Sequence, residues 1–193
     1  LVALFAEPLP EIVLSGLRVV LRPPRRVDYP AWARLRQQSR AFLEPWEPSW
    51  PEDALSRAAW RRRLRRAASD WREDAGYAFH VQLRETGDLI GAATLSNVRR
   101  GVSQSVSLGY WIGAPHARKG YMTEAIPLIL GFAFEQISLH RVEAACLPTN
   151  LPSRALLKRS GFTEEGLARR YLRIRGNWED HLLFAILKDD PRP

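Results

Sequence analysis

The chain has 193 residues, 29 lysines plus arginines against 21 aspartates plus glutamates, and a formal net charge of +8. With 46% hydrophobic and 26% charged residues its composition is globular, which excludes a disordered or fibrous chain. A single cysteine excludes an internal disulfide framework, no Cys/His spacing suits zinc, and no apolar run approaches the ~20 residues of a membrane span. The opening residues lack a basic-then-apolar signal pattern, so a reducing, cytoplasmic setting is expected. The excess positive charge points to an anionic partner: a nucleotide, a nucleic acid or a phosphorylated cofactor.

In chain order, Leu17 to Leu21 reads as a short strand ended by Pro23 and Pro24. Asp28 can cap a first helix running to about Ala41, with Pro30 tolerated in its opening turn. The proline-broken stretch from Phe42 to Pro48 predicts irregular structure. A helix is predicted from about Pro51 to Asp74, with Ser49 and Glu52 as its capping box and Trp60, Leu64, Ala67 and Trp71 as its buried stripe. Its other face carries Arg57, Arg61, Arg62, Arg63, Arg65 and Arg66, most of the net excess. That face is either a solvated basic surface or a contact for RNA or the ribosome. No RNA-binding strand motif accompanies it.

Tyr77 to Leu83 and Leu89 to Leu95 read as strands joined by a turn at Thr86-Gly87-Asp88. The alternation from Val102 to Ile112 predicts a third antiparallel strand. A loop then leads into an apolar helix over about Tyr121 to Gln136, bent by Pro127. Arg141 to Cys146 is a strand and Leu151 to Ser160 a helix. Two final strands, about Ala168 to Ile174 and Trp178 to Leu187, flank a turn at Gly176-Asn177. A meander followed by alternating helix and strand indicates one α/β (α+β) domain with a mixed, mostly antiparallel central sheet flanked by helices. Its expected parts are an N-terminal extension (1–16), strands and substrate-side helices (17–113), and a cofactor-binding half with a C-terminal hairpin (114–187).

The loop Gly113-Ala114-Pro115-His116-Ala117-Arg118-Lys119-Gly120, running into Tyr121-Met122-Thr123-Glu124-Ala125, carries the chemistry. Free amides at a helix start hold partial positive charge, Gly120 permits close approach of a phosphate, and Arg118 and Lys119 add full charges. The same residues would also serve a plain helix entry with two exposed basic side chains. The loop is neither a Walker A sequence nor a dinucleotide glycine motif.

Arg118 to Ala125 resembles the acyl-CoA pyrophosphate loop of the GNAT acetyltransferases. Asn150-Leu151-Pro152-Ser153-Arg154-Ala155-Leu156-Leu157-Lys158-Arg159-Ser160-Gly161-Phe162 is similar to that family's strand-Asn-helix-Gly-Phe segment, and Leu108-Gly109-Tyr110-Trp111-Ile112 occupies the place of its central strand. Ala117 and Met122 depart from the commonest residues of the loop. Phe42 to Pro48, Ser96 to Gly101 and Gly176 to His181 resemble the ribosomal-protein-alanine N-acetyltransferase branch. The resemblance implies acetyl transfer from acetyl-CoA, without a metal, to the α-amino group of a protein N-terminus, such as the Ala or Ser terminus of a ribosomal protein. Acetylation of a small-molecule amine, and a non-catalytic acyl-CoA-binding or ribosome-associated protein, are the alternatives. It further implies that Leu108, Tyr110, Trp111, Ile112, Arg118, Lys119, Gly120, Tyr121, Met122, Thr123, Asn150 and Ser153 bind the cofactor.

An α-amino group, with pKa about 7.7–8.0, is substantially neutral near pH 7.4, whereas a lysine amine is only about 0.1% neutral. An N-terminal acceptor therefore needs no strong base, and a carboxylate acting through water suffices. Ser153 matches the position that places a hydroxyl beside the thiol in related enzymes; its other reading is a first-turn serine bonded to local backbone. Tyr171 is an alternative hydroxyl, or simply a sheet-face tyrosine. Glu47, in the broken segment, would bind the substrate ammonium or accept its proton, or is a plain surface carboxylate. Glu124 reads as a first-turn carboxylate favoured by the helix dipole. Cys146 reads as buried and inert, and the four histidines lack metal spacing.

Overall fold

The computed structural model describes residues 9–192. Eight strands form one sheet in the order β1-β2-β3-β4-β5-β6-β8-β7. They are β1 (Leu14–Ser15), β2 (Val19–Arg22), β3 (Gly76–Leu83), β4 (Leu89–Arg99), β5 (Ser105–Ile112), β6 (Arg141–Cys146), β7 (Thr163–Ile174) and β8 (Asn177–Leu187). The helices are α1 (Tyr29–Gln38), α2 (Arg40–Leu43), α3 (Arg57–Arg72), α4 (Tyr121–Gly131) and α5 (Leu151–Arg159). Every neighbouring pair is antiparallel except β5 and β6, which α4 joins as a parallel crossover. The segment read as an N-terminal extension falls partly outside the described residues, and its last part supplies β1.

Alternation along β3 divides the core into two layers. Tyr77, Phe79 and Val81 join Ile126, Ile129 and Phe132, from α4 and the turn after it, in the main cluster. His80, from the opposite face, stacks on Trp60 of α3, and Trp60 continues into Trp32, Leu35 and Leu89. Trp71, at the end of α3, meets Tyr77, Phe79 and Phe132 edge-on or tilted, with ring centroids 4.7–5.7 Å apart. The expected stripe Trp60, Leu64, Ala67 and Trp71 is thus the face by which α3 docks.

Several expected boundaries are corrected. The first helix breaks at Ser39, and the segment expected to be irregular begins instead as α2, followed by a 3-10 turn over Glu44–Trp46. The Arg-rich helix starts at Arg57, not near Pro51. Ser56 caps it, accepting from the Ala59 amide at 3.0 Å, so Ser49 and Glu52 form no capping box there. Val102 stands fully exposed in a turn and β5 starts only at Ser105, because the polar alternation before it has no partner strand. β7 starts at Thr163, five residues before the expected start; pairing with β8 extends it through residues whose side chains are mostly exposed. The apolar helix is α-helical to Gly131 and closes in a π-helical turn over Phe132–Gln136.

Asp28 does not cap α1 with its side chain. It is buried, and accepts from Arg22 at 2.7 and 2.9 Å, from the Arg25 amide at 2.7 Å and from His80 Nδ1 at 3.0 Å. Burial acts to raise its pKa, but the bonds from His80, Arg22 and Arg25 outweigh it and hold the carboxyl well below the usual range. Burial dominates at His80 and pushes its pKa below 6.5, against the opposing pull of Asp28. The neutral ring therefore donates to the carboxylate. Removing the charge in Asp28→Asn leaves Arg22 without its counter-ion and is expected to cost about 3 kcal/mol in denaturant unfolding. The wild-type melting temperature should fall as pH drops below 6.5, because unfolded His80 takes a proton that the folded ring resists. Protonation of Asp28 in more acid solution should lower it again.

Candidate active site

β5 and β6 pair only at Ser105–Arg141, Val106–Val142 and Ser107–Glu143. Beyond these positions β5 stays bonded to β4 as far as Ile112, and β6 stays bonded to β8 as far as Cys146. The two strands therefore part like a fork, each arm held from outside. Among the described residues, the inward backbone edges of Leu108–Ile112 and Ala144–Cys146 lack a strand partner. Leu108 is buried, while Tyr110, Trp111 and Ile112 are half-buried along the open arm.

The loop after β5 turns over Ala114–His116 and is anchored where the Ala114 amide donates to Ser39 Oγ at 2.9 Å. It then passes through two left-handed residues, Arg118 at φ 61° and Gly120 at φ 78°. The glycine makes the second of these inexpensive. Among the described residues, the amides of Arg118 through Thr123 have no hydrogen-bond acceptor, and the Glu124 amide makes the first bond, to the Gly120 carbonyl at 3.2 Å. A run of free amides at a helix N-terminus, flanked by exposed Arg118 and Lys119, fits a phosphate group. Tyr121 and Thr123 lie in the same first turn. The Met122 side chain is buried in the core, so this residue offers the loop only its amide.

Glu124 braces this loop from below. Its carboxylate accepts from the Arg18 amide at 2.6 Å, the Val19 amide at 3.2 Å and Arg18 Nε at 3.0 Å. Burial opposes ionisation there, and those donors prevail to lower its pKa. Arg18 also donates to the Lys119 carbonyl at 3.1 Å and lies 5.1 Å from the Tyr121 ring centroid. Sequence reading overlooked this brace, since Arg18 lies 106 residues from Glu124. His116 is half-buried; burial first, then Lys119, lower its pKa.

On the fork's other arm, the Asn150 side chain caps α5 by accepting from the Ser153 amide at 3.2 Å. Ser153 Oγ lies 2.7 Å from Tyr110 Oη, so a hydroxyl pair links α5 to the open arm of β5. Burial pushes the phenol pKa up, partly offset by Ser153, and keeps the phenol protonated. Burial also raises the Cys146 thiol, against a bond to Ser153, which argues for an un-ionised thiol. The sequence expectation counts Tyr110 among the cofactor contacts and does not include its hydroxyl bond to Ser153. Tyr171 is exposed on β7 and packs edge-on against His181, with centroids 5.9 Å apart.

Both oxygens of Glu47 are engaged. Arg36 donates to them at 2.7 and 2.6 Å and Trp50 Nε1 donates at 2.8 Å. The Arg36 guanidinium lies between the rings of Trp50 and Trp111, at 4.2 and 4.9 Å from their centroids. The Glu47 carbonyl accepts from the Arg175 amide at 3.2 Å, which ties this segment to the β7–β8 hairpin. A cleft of about 620 Å³ opens between Pro45, the Leu147–Pro148–Thr149 turn after β6, and hairpin residues including Arg170, Arg175, Trp178, Glu179 and Asp180. The Glu47 side chain lines a separate small cavity with Trp32, Arg36, Trp50 and Arg63. No grouping of three or more His, Cys, Asp or Glu side chains suits a metal among the described residues.

The family model described as "Acetyltransferase (GNAT) domain" matches residues 18–163. The ribosomal protein uS5-alanine N-acetyltransferase of Escherichia coli is 34% identical over 186 residues, covering 95% of this chain and 95% of that protein. The solved structure of Mycobacterium smegmatis RimJ in complex with CoA-disulfide shares 38% identity at a TM-score of 0.84, covering 91% of this chain and 84% of that one. The ribosomal-protein-S5-alanine acetyltransferase from Vibrio fischeri shares 28% identity at a TM-score of 0.86, covering 95% and 100% of the two chains. No described helix is long and apolar enough to cross a membrane. Replacing Arg118 and Lys119 together by Ala should weaken coenzyme A binding by roughly tenfold or more in calorimetry with little change in melting temperature. Unchanged affinity would remove the loop from the phosphate site.

Proposed function

The chain belongs to the GNAT acetyltransferase family, and from that membership we propose that it acetylates the α-amino group of a protein N-terminus, with the Ala or Ser terminus of a ribosomal protein as the leading substrate. The observation that carries this reading is the cleft beyond the fork. At about 620 Å³, walled on one side by an exposed hairpin, it suits several residues of extended chain. Glu179 on its wall suits an incoming ammonium, while Asp180 beside it already accepts from the Arg170 amide at 2.8 Å. The Escherichia coli and Vibrio fischeri relatives, at 34% and 28% identity and both named as S5-alanine acetyltransferases, support the same choice of acceptor.

Acetyl-CoA supplies the acetyl group as an activated thioester. In this reading the Arg118–Thr123 amides, with the Arg118 and Lys119 side chains, hold its phosphates. The open edge of Leu108 to Ile112 and the Asn150 region line the path between the strands. Ser153 keeps a proton at its Oγ, and Tyr110, 2.7 Å away, orients that hydroxyl toward the departing sulfur. As the acceptor nitrogen bonds the acetyl carbon and the C–S bond breaks, the leaving thiolate takes a proton from this pair; the nitrogen gives its own proton to water, and the pair regains one from solvent.

Glu47, with three donors already on its carboxylate, acts by fixing Arg36 and the acceptor-side wall rather than by drawing a proton directly. Its replacement by Gln should raise KM for the peptide more than it lowers kcat. A loss confined to kcat, with a displaced pH profile, would instead make it the base. Ser153→Ala should lower kcat by about 10²-fold with little change in coenzyme A affinity. Full activity would exclude the hydroxyl as the required acid. The substrate class is tested by mass spectrometry with acetyl-CoA and peptides beginning with Ala, Ser, Thr or Met, beside a blocked peptide with an internal Lys. Acetylation at the free terminus is expected, with kcat/KM rising to a plateau above pH about 8. Turnover only on small amines would overturn the proposal.

A further inference from the structure

The six arginines between Arg57 and Arg66 of α3 are not equivalent. Arg62 pairs with Asp53, and Arg66 lies 3.6 Å from Asp70. The Arg63 guanidinium lies 5.3 Å from the Trp32 ring centroid, at the edge that faces α1. Of the rest, Arg57, Arg61 and Arg65 share one side of the helix, Arg57 itself lying over the Tyr29 ring. All three are exposed, and none has a carboxylate within ion-pair distance among the described residues. They recur at every fourth position, so they form one row along the helix, advancing about 6 Å per step. Exposed Arg25 and Arg26, likewise without ion pairs, stand just before Tyr29, whose ring lies 4.7 Å from the Arg57 guanidinium. The row therefore widens into a basic surface at the start of α3.

This arrangement works against the helix that carries it. Arg57 stands in the first turn, where the macrodipole disfavours a cation, and that turn contains no acidic residue to offset it. Arg57 with Arg61, Arg61 with Arg65, and Arg62 with Arg66 are like-charge neighbours at i,i+4. Helix stability alone would favour the opposite pattern. The row therefore needs another cause, and an external polyanion supplies one.

From this we infer that the Arg57–Arg61–Arg65 row is a docking surface for double-helical RNA, which it grips by the phosphate backbone without reading sequence. Three observations favour that occupant. Each basic residue of the row is Arg, as nearly everywhere in a chain with three lysines, and the planar guanidinium matches phosphate bidentately. The helix turns Trp60 and Ala67 fully, and Leu64 and Trp71 largely, into the core, so the outward face offers a lipid surface no apolar anchor. It likewise lacks the aromatic or aliphatic anchors of a protein interface. A nucleic-acid duplex carries one charge per ~1.7 Å of its axis, so several phosphates fall within reach of three guanidiniums spaced over about 12 Å. This surface is independent of which amine is acetylated, and its failure would leave the reading of the active site untouched.

The test uses the full chain and a fluorescent 20-base-pair RNA duplex of arbitrary sequence, titrated between 50 and 200 mM salt. Arg57→Gln, Arg61→Gln and Arg65→Gln are combined in one variant. A control combines Arg159→Gln, Arg169→Gln and Lys188→Gln, removing the same charge elsewhere. Losing three phosphate contacts should weaken binding by at least ~10-fold and make the log–log salt slope shallower by about 2 to 3 units, while the control stays near wild type. The α3 variant should melt no lower than wild type and acetylate an isolated peptide at the wild-type rate. Equal weakening in both variants would reduce the effect to net charge and overturn the proposal. So would RNA binding unchanged in the α3 variant but lost affinity for phosphatidylserine vesicles or for poly-glutamate, which would reassign the surface to a membrane or an acidic protein.

Discussion

The site depends on one constraint: β5 and β6 share a ladder for three residue pairs and are then held apart by their outer neighbours. Backbone groups in a sheet interior are normally satisfied by the adjacent strand, and leaving a series of them open costs free energy unless something else bonds to them. Closing the fork would require β5 to leave β4 or β6 to leave β8. The opening is therefore built into the topology and does not wait for a ligand to create it. The hydrophobic layers on both faces hold the flanking strands and so hold the fork.

The elements around the opening are joined by polar contacts across long sequence separations. Arg18 and Glu124 fasten the start of β2 to the first turn of α4 and thereby fix the loop that precedes it. Arg36 and Glu47 perform the corresponding task for the segment before α3, which the Arg175 amide ties to the β7–β8 hairpin, with Trp50 and Trp111 beside the guanidinium. In both pairs a carboxylate that invites a catalytic reading is already committed to arginine and to other donors. Arg18 is exposed and Glu124 half-buried, Arg36 buried and Glu47 half-buried; neither pair adds much net stability, yet removing one partner strands the other. They serve position more than strength.

What could be read from the sequence follows the range of the interactions concerned. The meander, the crossover and the loop that enters α4 were legible because periodicity, turn residues and a helix start are local signals. The fold class and the family were legible for the same reason, three such segments standing in order along the chain. The start of α3 was missed because Ser49 and Ser56 are equally good caps in isolation, and only the docking of Trp60 chooses between them. The extent of β7 was missed because its alternation is not apolar; pairing with β8 defines it. The Tyr110–Ser153 hydroxyl pair was invisible because its members are 43 residues apart and meet only where the fork opens.

The same distinction between local and long-range partners explains why net charge was a poor guide. An arginine beside a buried carboxylate, as at Arg22 or Arg36, contributes its full unit to the sum yet presents almost no field to solvent. An arginine without a partner, as at Arg118 or Arg61, contributes the same unit and acts outward. The +8 of the chain therefore mixes groups that hold the fold with groups available to anions. Separating them requires the ion-pair geometry, and once that is done two outward surfaces stand out. One is a compact loop whose free amides add direction to the charge, as a single phosphorylated molecule requires. The other is a straight helical row with charge and no such amides, which suits a repeating polyanion whose sequence is not read.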